Sequence, residues 1–527
     1  MNSTPKILSV FVGVLLVLLA FAPARSWYGD GEEACLDARA WIDTGLPVQV
    51  VDGKAVPSTR PLMFSVSCLP SVLLAPLPGF GPVEDPIHKL IRGLTPSLWG
   101  AATAAGFFSL LVALGCGSGV AMAFALALIF STPLWNYARV HYTDGLQAMA
   151  MVFLLRATVM AARGALGCQT QSQIQSQLKS QKHVFAAGFL VGMLFNLRAT
   201  NICLIIPVVW SLGLSHINSR SRPPSRPGLW ATFGAAFAAF AAGLMPWLMA
   251  WALYNQIRHG GWFLTGYEGQ LFSTNLLAGL WGNLFSPGKS IFLYAPLTLM
   301  GVVASWRILL AGLSPRSHWW PAACAVLMLV VIASTWWAWH GDRAWGPRLI
   351  VPVIPGLFIP AALWVSTASW RRRVKGAALA LGLAGFVLQL PVVITGSLPL
   401  VSLGGWVDQV AFGPRAPSKL FMSIPDDMIF AHYVPEFSPL VMQFNLLKKM
   451  GLHAAPFAVD PAQWMPSWRV PGFNGEPVTS EGLWPDFWFW NRGLSLDSPV
   501  YAVAAFMMLA LGLAVVRRAF ASRAGIL

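Results

Sequence analysis

Charge is what this chain has least of: Asp, Glu, Lys and Arg make up 10% of its 527 residues, against 56% hydrophobic ones. Soluble domains carry roughly 25% charged residues. A soluble globule of this size could not coat its surface with so few, whereas a lipid-embedded protein has no such need. Cysteine is sparse too, with six scattered copies and no CxxC pair, so zinc is not expected from the sequence. The segment Leu284–Ser290 looks like a phosphate loop but lacks the GxxxxGK[ST] spacing. It precedes an apolar run and no soluble strand–helix unit, which argues against ATP binding.

What charge there is carries a surplus of +15. A basic chain often binds nucleic acid. Here the Lys and Arg residues sit in short clusters between apolar runs, the pattern that sets membrane topology. Membrane lipids are therefore the expected partners, and nucleic acid is not. The 25 Trp residues suit a membrane–water boundary.

About 20 apolar residues cross a bilayer as helix. Runs near 7–23, 97–115, 119–135, 145–162, 184–199, 201–215, 229–254, 291–311, 319–338, 348–368, 376–395 and 498–516 approach that length. They define an all-α polytopic membrane protein of about 12 transmembrane helices. With the N-terminus inside, every basic cluster falls on the inner side: Arg163, Lys179 and Lys182; Arg220, Arg222 and Arg226; Arg307 and Arg316; Arg371 to Arg373 and Lys375; Arg517, Arg518 and Arg523. Both termini are then cytoplasmic. Lys6 and Ala22-Pro23-Ala24 also resemble a cleavable secretory signal. A retained first helix is preferred because notable acids follow it; either way the next segment lies outside.

This divides the chain into a transmembrane core over 1–395, with exterior loops at 24–96 and 255–290, then an exterior loop or small cap over 396–497 on the periplasmic side. A last helix and cytoplasmic tail follow over 498–527. The Gln/Ser-rich tract within 163–183 and the Arg/Pro-rich 219–228 read as flexible connectors. The apolar stretch Pro61–Leu77 reads as an interfacial or re-entrant helix. Cys35 and Cys68 share one exterior loop and can pair in an oxidising compartment.

Candidate chemistry clusters at the exterior ends of the spans. Asp30, Glu32 and Glu33 crowd three carboxylates into four residues, which raises a pKa or calls for a cation. Such a group can accept a proton from an incoming hydroxyl or amine. Asp30 and Glu32 could also hold a divalent cation, Mg or Mn, through oxygen; the alternative is that the acids simply cap a solvated turn. His141 and Asp144 stand at the next exterior helix end as substrate-binding candidates, with a plain N-cap the alternative for Asp144. Arg198 can snorkel to headgroups or bind a phosphate. Tyr267 and Glu268, then Lys289, lie in the second exterior segment. The densest signal is Trp336 to Arg348, WWAWHGDRAWGPR, with His340, Asp342, Arg343 and Arg348 among aromatic anchors. Arginine forks match phosphate oxygens; so many charges between apolar spans suggest a ligand, against the alternative of an aromatic belt with snorkelling cations.

In this order the features resemble the GT-C superfamily of polytopic glycosyltransferases, which use polyprenyl-phosphate-linked sugars. Members carry acidic residues just after the first transmembrane helix, the place Asp30 occupies. Many bacterial relatives have a loop like FSPGKSIFLYAPL at 285–297 and a Trp-rich Gly-Pro-Arg loop like 336–348. The likeness covers most of 1–370. It departs at GDGEEAC, where protein mannosyltransferases and aminoarabinose transferases have a plain Asp-Glu pair; 396–497 matches nothing in the family.

The resemblance implies a bacterial inner-membrane enzyme with a periplasmic active site. A polyprenyl-phosphate sugar would donate a hexosyl or pentosyl group, with inversion, to a lipid, glycan or protein acceptor. Asp30 would be the base, and Arg343 and Arg348, with Lys289 or Arg198, would hold the phosphate. The alternatives are a lipid or solute transporter and a lipid-linked glycan polymerase or ligase. The near absence of mid-span charge, Arg156 being the main exception, speaks against a transporter with its site at the midplane.

Overall fold

The computed structural model describes residues 4–24, 30–46, 49–51, 54–56, 60–75, 85–166, 173–218, 229–267, 269–310, 320–341, 344–367, 371–396, 432–435, 438–452, 486–489 and 499–521. Almost all of these are helical. One small antiparallel hairpin, β1 (Gln49–Val51) with β2 (Lys54–Val56), interrupts the first exterior loop.

Each predicted apolar run falls on helix. The order is α1 (Thr4–Ala20), α2 (Asp30–Thr44), α3 (Leu62–Leu74), α4 (Pro86–Ala113), α5 (Ser118–Phe130), α6 (Leu134–Tyr137), α7 (Thr143–Leu166), α8 (Gln173–Leu197) and α9 (Ile205–Asn218). Then come α10 (Leu229–His259), α11 (Leu276–Phe285), α12 (Ile291–Tyr294), α13 (Leu297–Leu310), α14 (Trp320–Thr335), α15 (Ile354–Thr367), α16 (Arg371–Thr395), α17 (Pro439–Leu452) and α18 (Pro499–Ala521). Among the described residues, six helical segments are long and apolar enough to cross a membrane: Pro86–Ala113, Thr143–Arg163, Phe233–His259, Arg348–Thr367, Arg372–Thr395 and Pro499–Phe520. The other apolar helices are shorter, α1, α3 and α5 among them.

Two expectations change, the linker tract and the cysteine pairing, while the helix expected after Pro61 is present. The polar tract of 163–183 is helical from Gln173 onward, because Gln, Leu and Lys favour helix and no Gly or Pro interrupts 173–187. The apolar stretch after Pro61 forms α3 despite Pro70 inside it. Cys35 and Cys68 are both free thiols. Burial and a hydrogen bond donated by Cys35 to the neighbouring Cys68 sulfur hold the Cys35 thiol well above the usual thiol range, so the two sulfurs meet without a covalent link. Most of 396–497 lies outside the described residues; α17 is the helix described there.

The buried centre is α4 and α7. Their small residues Gly100, Ala101, Ala104, Ala105, Ala148 and Ala150 let α1, α5, α8 and α15 pack closely around them. Lipid gives little hydrophobic drive between helices, so close backbone approach carries the packing. Helix α1 runs antiparallel to α18, with Gly13 facing Val516 and Gly512 facing Leu16 and Val17. The start of α1 and the end of α18 therefore lie at one end of the bundle. At the other end, Trp488 N–H donates to Ala22 O at 3.0 Å, and the buried Arg139 donates to Phe21 O at 2.5 Å and Asp486 O at 2.6 Å. These bonds fix the chain as it leaves α1 toward Asp30.

A Cβ on Gly512 would stand 2.8 Å from Gly13 O, whereas one on Gly382 meets nothing within 4 Å. Gly512→Leu is expected to cost ~1–3 kcal/mol through overpacking. Gly382→Leu is expected to cost nothing. Thermal unfolding of the detergent-solubilised protein should show a lowered midpoint for the first alone.

Candidate active site

Two carboxylates and three guanidiniums form one chain of ion pairs at the end of the bundle where α1 exits. Asp30 is the first residue of α2 and Asp144 lies in the first turn of α7. Both occupy helix N-termini, where the helix dipole favours a negative charge. Arg348 joins them: its Nη2 donates to Asp30 Oδ2, and its Nε donates to Asp144 Oδ2 at 2.9 Å. Arg60 Nη1 donates to the other Asp30 oxygen at 2.6 Å, and Arg198 Nη2 to the other Asp144 oxygen at 3.4 Å. Arg348 also lies over the Tyr142 ring, 4.6 Å from its centre, a cation–π contact.

The two acids differ in exposure. The Asp144 side chain is 0% exposed, whereas Asp30 is 24% exposed and faces a cavity of about 680 Å³. Burial pushes the Asp30 carboxyl up, but Arg348 and then Arg60 outweigh it and leave it below the usual carboxylate range. Among the described residues, the charged side chains lining the cavity are Asp30, Arg60, Arg198, Arg258 and Arg348. Each arginine is also paired with a carboxylate, since Glu33, Asp37 and Asp144 hold them from outside the lining, so the cavity face shows mainly guanidinium while the cluster as a whole is near neutral. The same lining includes the apolar side chains of Phe195, Trp251, Leu329, Ile332 and Trp336.

The Trp-rich loop delivers Arg348 through interlocking contacts. Trp345 is buried; its Nε1 donates to Gln389 of α16 at 2.7 Å, and Gln389 donates onward to Tyr294 O at 2.8 Å. Tyr137 donates to Trp345 O at 2.8 Å. Gly346 has φ +64°, a left-handed conformation that a side chain rarely adopts. The 285–297 loop supports the same strand of chain: buried Lys289 donates from Nζ to Ala344 O at 2.6 Å. Lys289 is thus turned toward the loop and is absent from the cavity wall described.

Of the residues read from sequence, Asp30, Arg198, Tyr267, His340 and Arg348 line the cavity. Asp144 lies one step behind, holding Arg348 and Arg198. Glu33 accepts from Arg60 Nε at 2.7 Å. Glu32 is exposed at the surface; being two residues from Asp30 on one helix, it points away from it. Both Asp30 oxygens are taken by arginines, so an Asp30–Glu32 cation site is not formed. His141 is buried away from the cavity, 3.4 Å from Ser71 Oγ. Glu268, Asp342 and Arg343 lie outside the described residues.

Sequence reasoning missed Arg60 and the pair behind it. Arg258 Nη2 reaches Asp37 at 3.3 Å with both side chains buried, and Arg258 Nη1 holds Arg60 O at 2.6 Å. Asp37 lies in the middle of α2, and Arg258 in the last turn of α10. Their one signal was position, since each recurs on the exterior side that carries the other candidates.

The fold and site together define a multi-pass helical membrane protein with an arginine-walled, lipid-sized cavity at one end of its bundle. No family model and no curated protein matches the chain. Among solved structures it is similar to two GT-C glycosyltransferases. ArnT from Cupriavidus metallidurans, bound to undecaprenyl phosphate, is 16% identical over 98% of this chain and 77% of its own, with a TM-score of 0.48. The oligosaccharyltransferase of Archaeoglobus fulgidus in its apo form is 10% identical over 90% of this chain and 61% of its own, at 0.41.

Removing one partner from a fully buried ion pair costs about 3–5 kcal/mol. Asp144→Asn is expected to incur that loss, and Asp30→Asn, at a partly exposed site, distinctly less. Chemical denaturation in detergent checks the order of the two.

Proposed function

We propose that this protein is a membrane glycosyltransferase that moves a sugar from a polyprenyl-phosphate donor to an acceptor at the periplasmic face of a bacterial plasma membrane. Both termini would lie in the cytoplasm, where Arg517 and Arg518 at the end of α18 agree with the positive-inside pattern. One observation carries the reading. Among the described residues, one carboxylate, Asp30, lines a cavity whose other charged lining residues are four arginines, together with apolar and aromatic side chains. Phosphate fits the arginines, the polyprenyl chain fits the apolar wall, and the carboxylate is left to act on the acceptor.

Free Asp30 is a poor base, because two guanidiniums hold its pKa down. The donor phosphate supplies a competing anion. Once Arg348 and Arg60 turn to it, burial dominates and raises the Asp30 carboxylate into the range of a useful base. The substrate thus activates the base that consumes it. Asp30 takes the acceptor proton, the acceptor oxygen or nitrogen attacks the anomeric carbon, and the bond to phosphate breaks. Arg348 and Arg198 then stabilise the charge gathering on the departing phosphate. Asp144 is shielded behind Arg348, so among the described residues one carboxylate, Asp30, faces the reacting centre. That suits a single displacement with inversion; two carboxylates flanking the bond would be needed for retention.

Purified protein should consume a polyprenyl monophosphate sugar and leave a diphosphate-linked oligosaccharide untouched. Asp30→Asn is expected to slow transfer by about 10²–10⁴-fold with polyprenyl phosphate binding retained. Unchanged turnover in that variant would remove Asp30 as base. Arg348→Lys keeps the charge but loses the fork, and should weaken polyprenyl phosphate binding measurably in a direct assay.

The acid limb of the rate profile carries a further expectation. At low donor it reports free Asp30, whose pKa is depressed; at saturating donor it reports Asp30 released from its arginines. The limb should therefore move to higher pH as donor approaches saturation. A limb that stays fixed would show that the phosphate does not displace the carboxylate.

A further inference from the structure

Behind the cavity, two thiols and an imidazole from three separate stretches of chain converge. Cys35 lies on α2, Cys68 on α3, and His141 in the turn that leads into α7. One ligand atom from each lies within 4.8 Å of the other two, and all three residues are 0% exposed. None of them lines the cavity, and the proposed transfer uses none of them. The imidazole is oriented by its surroundings: Ser71 Oγ lies 3.4 Å from Nε2, Thr95 Oγ1 lies 2.7 Å from Ser71 Oγ, and the Trp99 ring meets it edge-on at 5.7 Å. Metal-binding histidines are commonly held in place by such outer hydrogen bonds.

We propose that Cys35, Cys68 and His141 form a structural site for a thiophilic divalent cation of the Zn²⁺ class. Bonds of about 2.3 Å to sulfur and 2.0–2.1 Å to nitrogen require ligand atoms somewhat closer than the present upper bound, a movement that side-chain rotation can supply. Binding releases two thiol protons to solvent. Two thiolates and one dication then sum to zero charge, which a dry pocket accommodates. A Cys35–Cys68 disulfide would use the two sulfurs and leave the imidazole beside them without a role. Three protein ligands leave the fourth position of a tetrahedral ion to a small molecule such as water.

The placement has a consequence for the active site. Cys35 lies five residues after Asp30, on the same helix; His141 lies three residues before Asp144. A bound ion would tie α2 and α3 to the entrance of α7, and so hold at fixed spacing the two carboxylates that Arg348 bridges.

The test uses the full-length protein in detergent, kept reduced, with Co²⁺ as the probe. The expected result is uptake of one equivalent, with thiolate-to-cobalt charge-transfer absorption. Cys35→Ser, Cys68→Ser and His141→Gln should each lose that absorption, and Cys116→Ser, at a buried thiol elsewhere, should keep it. Added Zn²⁺ should raise the unfolding midpoint of the unaltered protein and leave that of Cys35→Ser unmoved. No cobalt absorption in the reduced, unaltered protein would overturn the proposal, whatever the variants do. So would an intact Cys35–Cys68 disulfide in protein taken directly from cells. Neither result bears on sugar transfer, which rests on the cavity.

Discussion

Arg348 touches both carboxylates of the site at once. One edge of its guanidinium grips Asp144, buried beneath it, and the other grips Asp30 at the cavity surface. Two helices and a loop meet there, because Asp30 opens α2, Asp144 lies in the first turn of α7, and Arg348 closes the Trp-rich loop. Removing a charge from such a set leaves its partner buried and uncompensated, which is far costlier than the pair is stabilising. The rest of the site is arranged so that this bridge holds. Arg60 and Arg198 occupy the outer oxygens, and Arg258 and Asp37 brace Arg60 from behind.

Under the proposed transfer, the same arrangement would keep Asp30 idle as a base until the donor arrives. A carboxylate between two guanidiniums is weakly basic while both hold it, and a donor phosphate would compete for them. Among the described residues the cavity face presents four arginines and one aspartate, each arginine also paired with a carboxylate. Much of the surrounding structure works at one remove. Lys289 secures Ala344, Gln389 secures Trp345, and Arg139 secures the exit of α1. Polar side chains within apolar helices are expensive in lipid and therefore need partners; here those partners are backbone carbonyls of the loops that present the site.

How much of this was legible beforehand varies with the kind of residue. Asp30, Arg198 and Arg348 could be found because charge is rare in such a chain and each stands at the exterior end of an apolar run. Lys289 was found by the same signal, but its direction was not: a lysine in an exposed-looking loop turned out to clamp a carbonyl. Arg60 escaped notice because it follows a loop with no pattern and precedes a short helix whose Pro70 obscures it in the sequence. Asp37 and Arg258 lie 221 positions apart, and nothing local in either stretch refers to the other. The polar run before His183 read as linker by composition, although its Gln and Lys residues also favour helix.

The sequence by itself determined that the chain is helical with runs apolar enough to cross a membrane, and that its scarce charges gather at the ends of those runs. Hydrophobic run length and the asymmetry of Lys and Arg act locally, so they can be read one segment at a time. Only the tertiary structure decided which of those charges touch. Ion pairing depends on distances of a few ångströms between segments hundreds of residues apart, and these are set by how α2, α7 and the Trp-rich loop pack, a property no single segment carries.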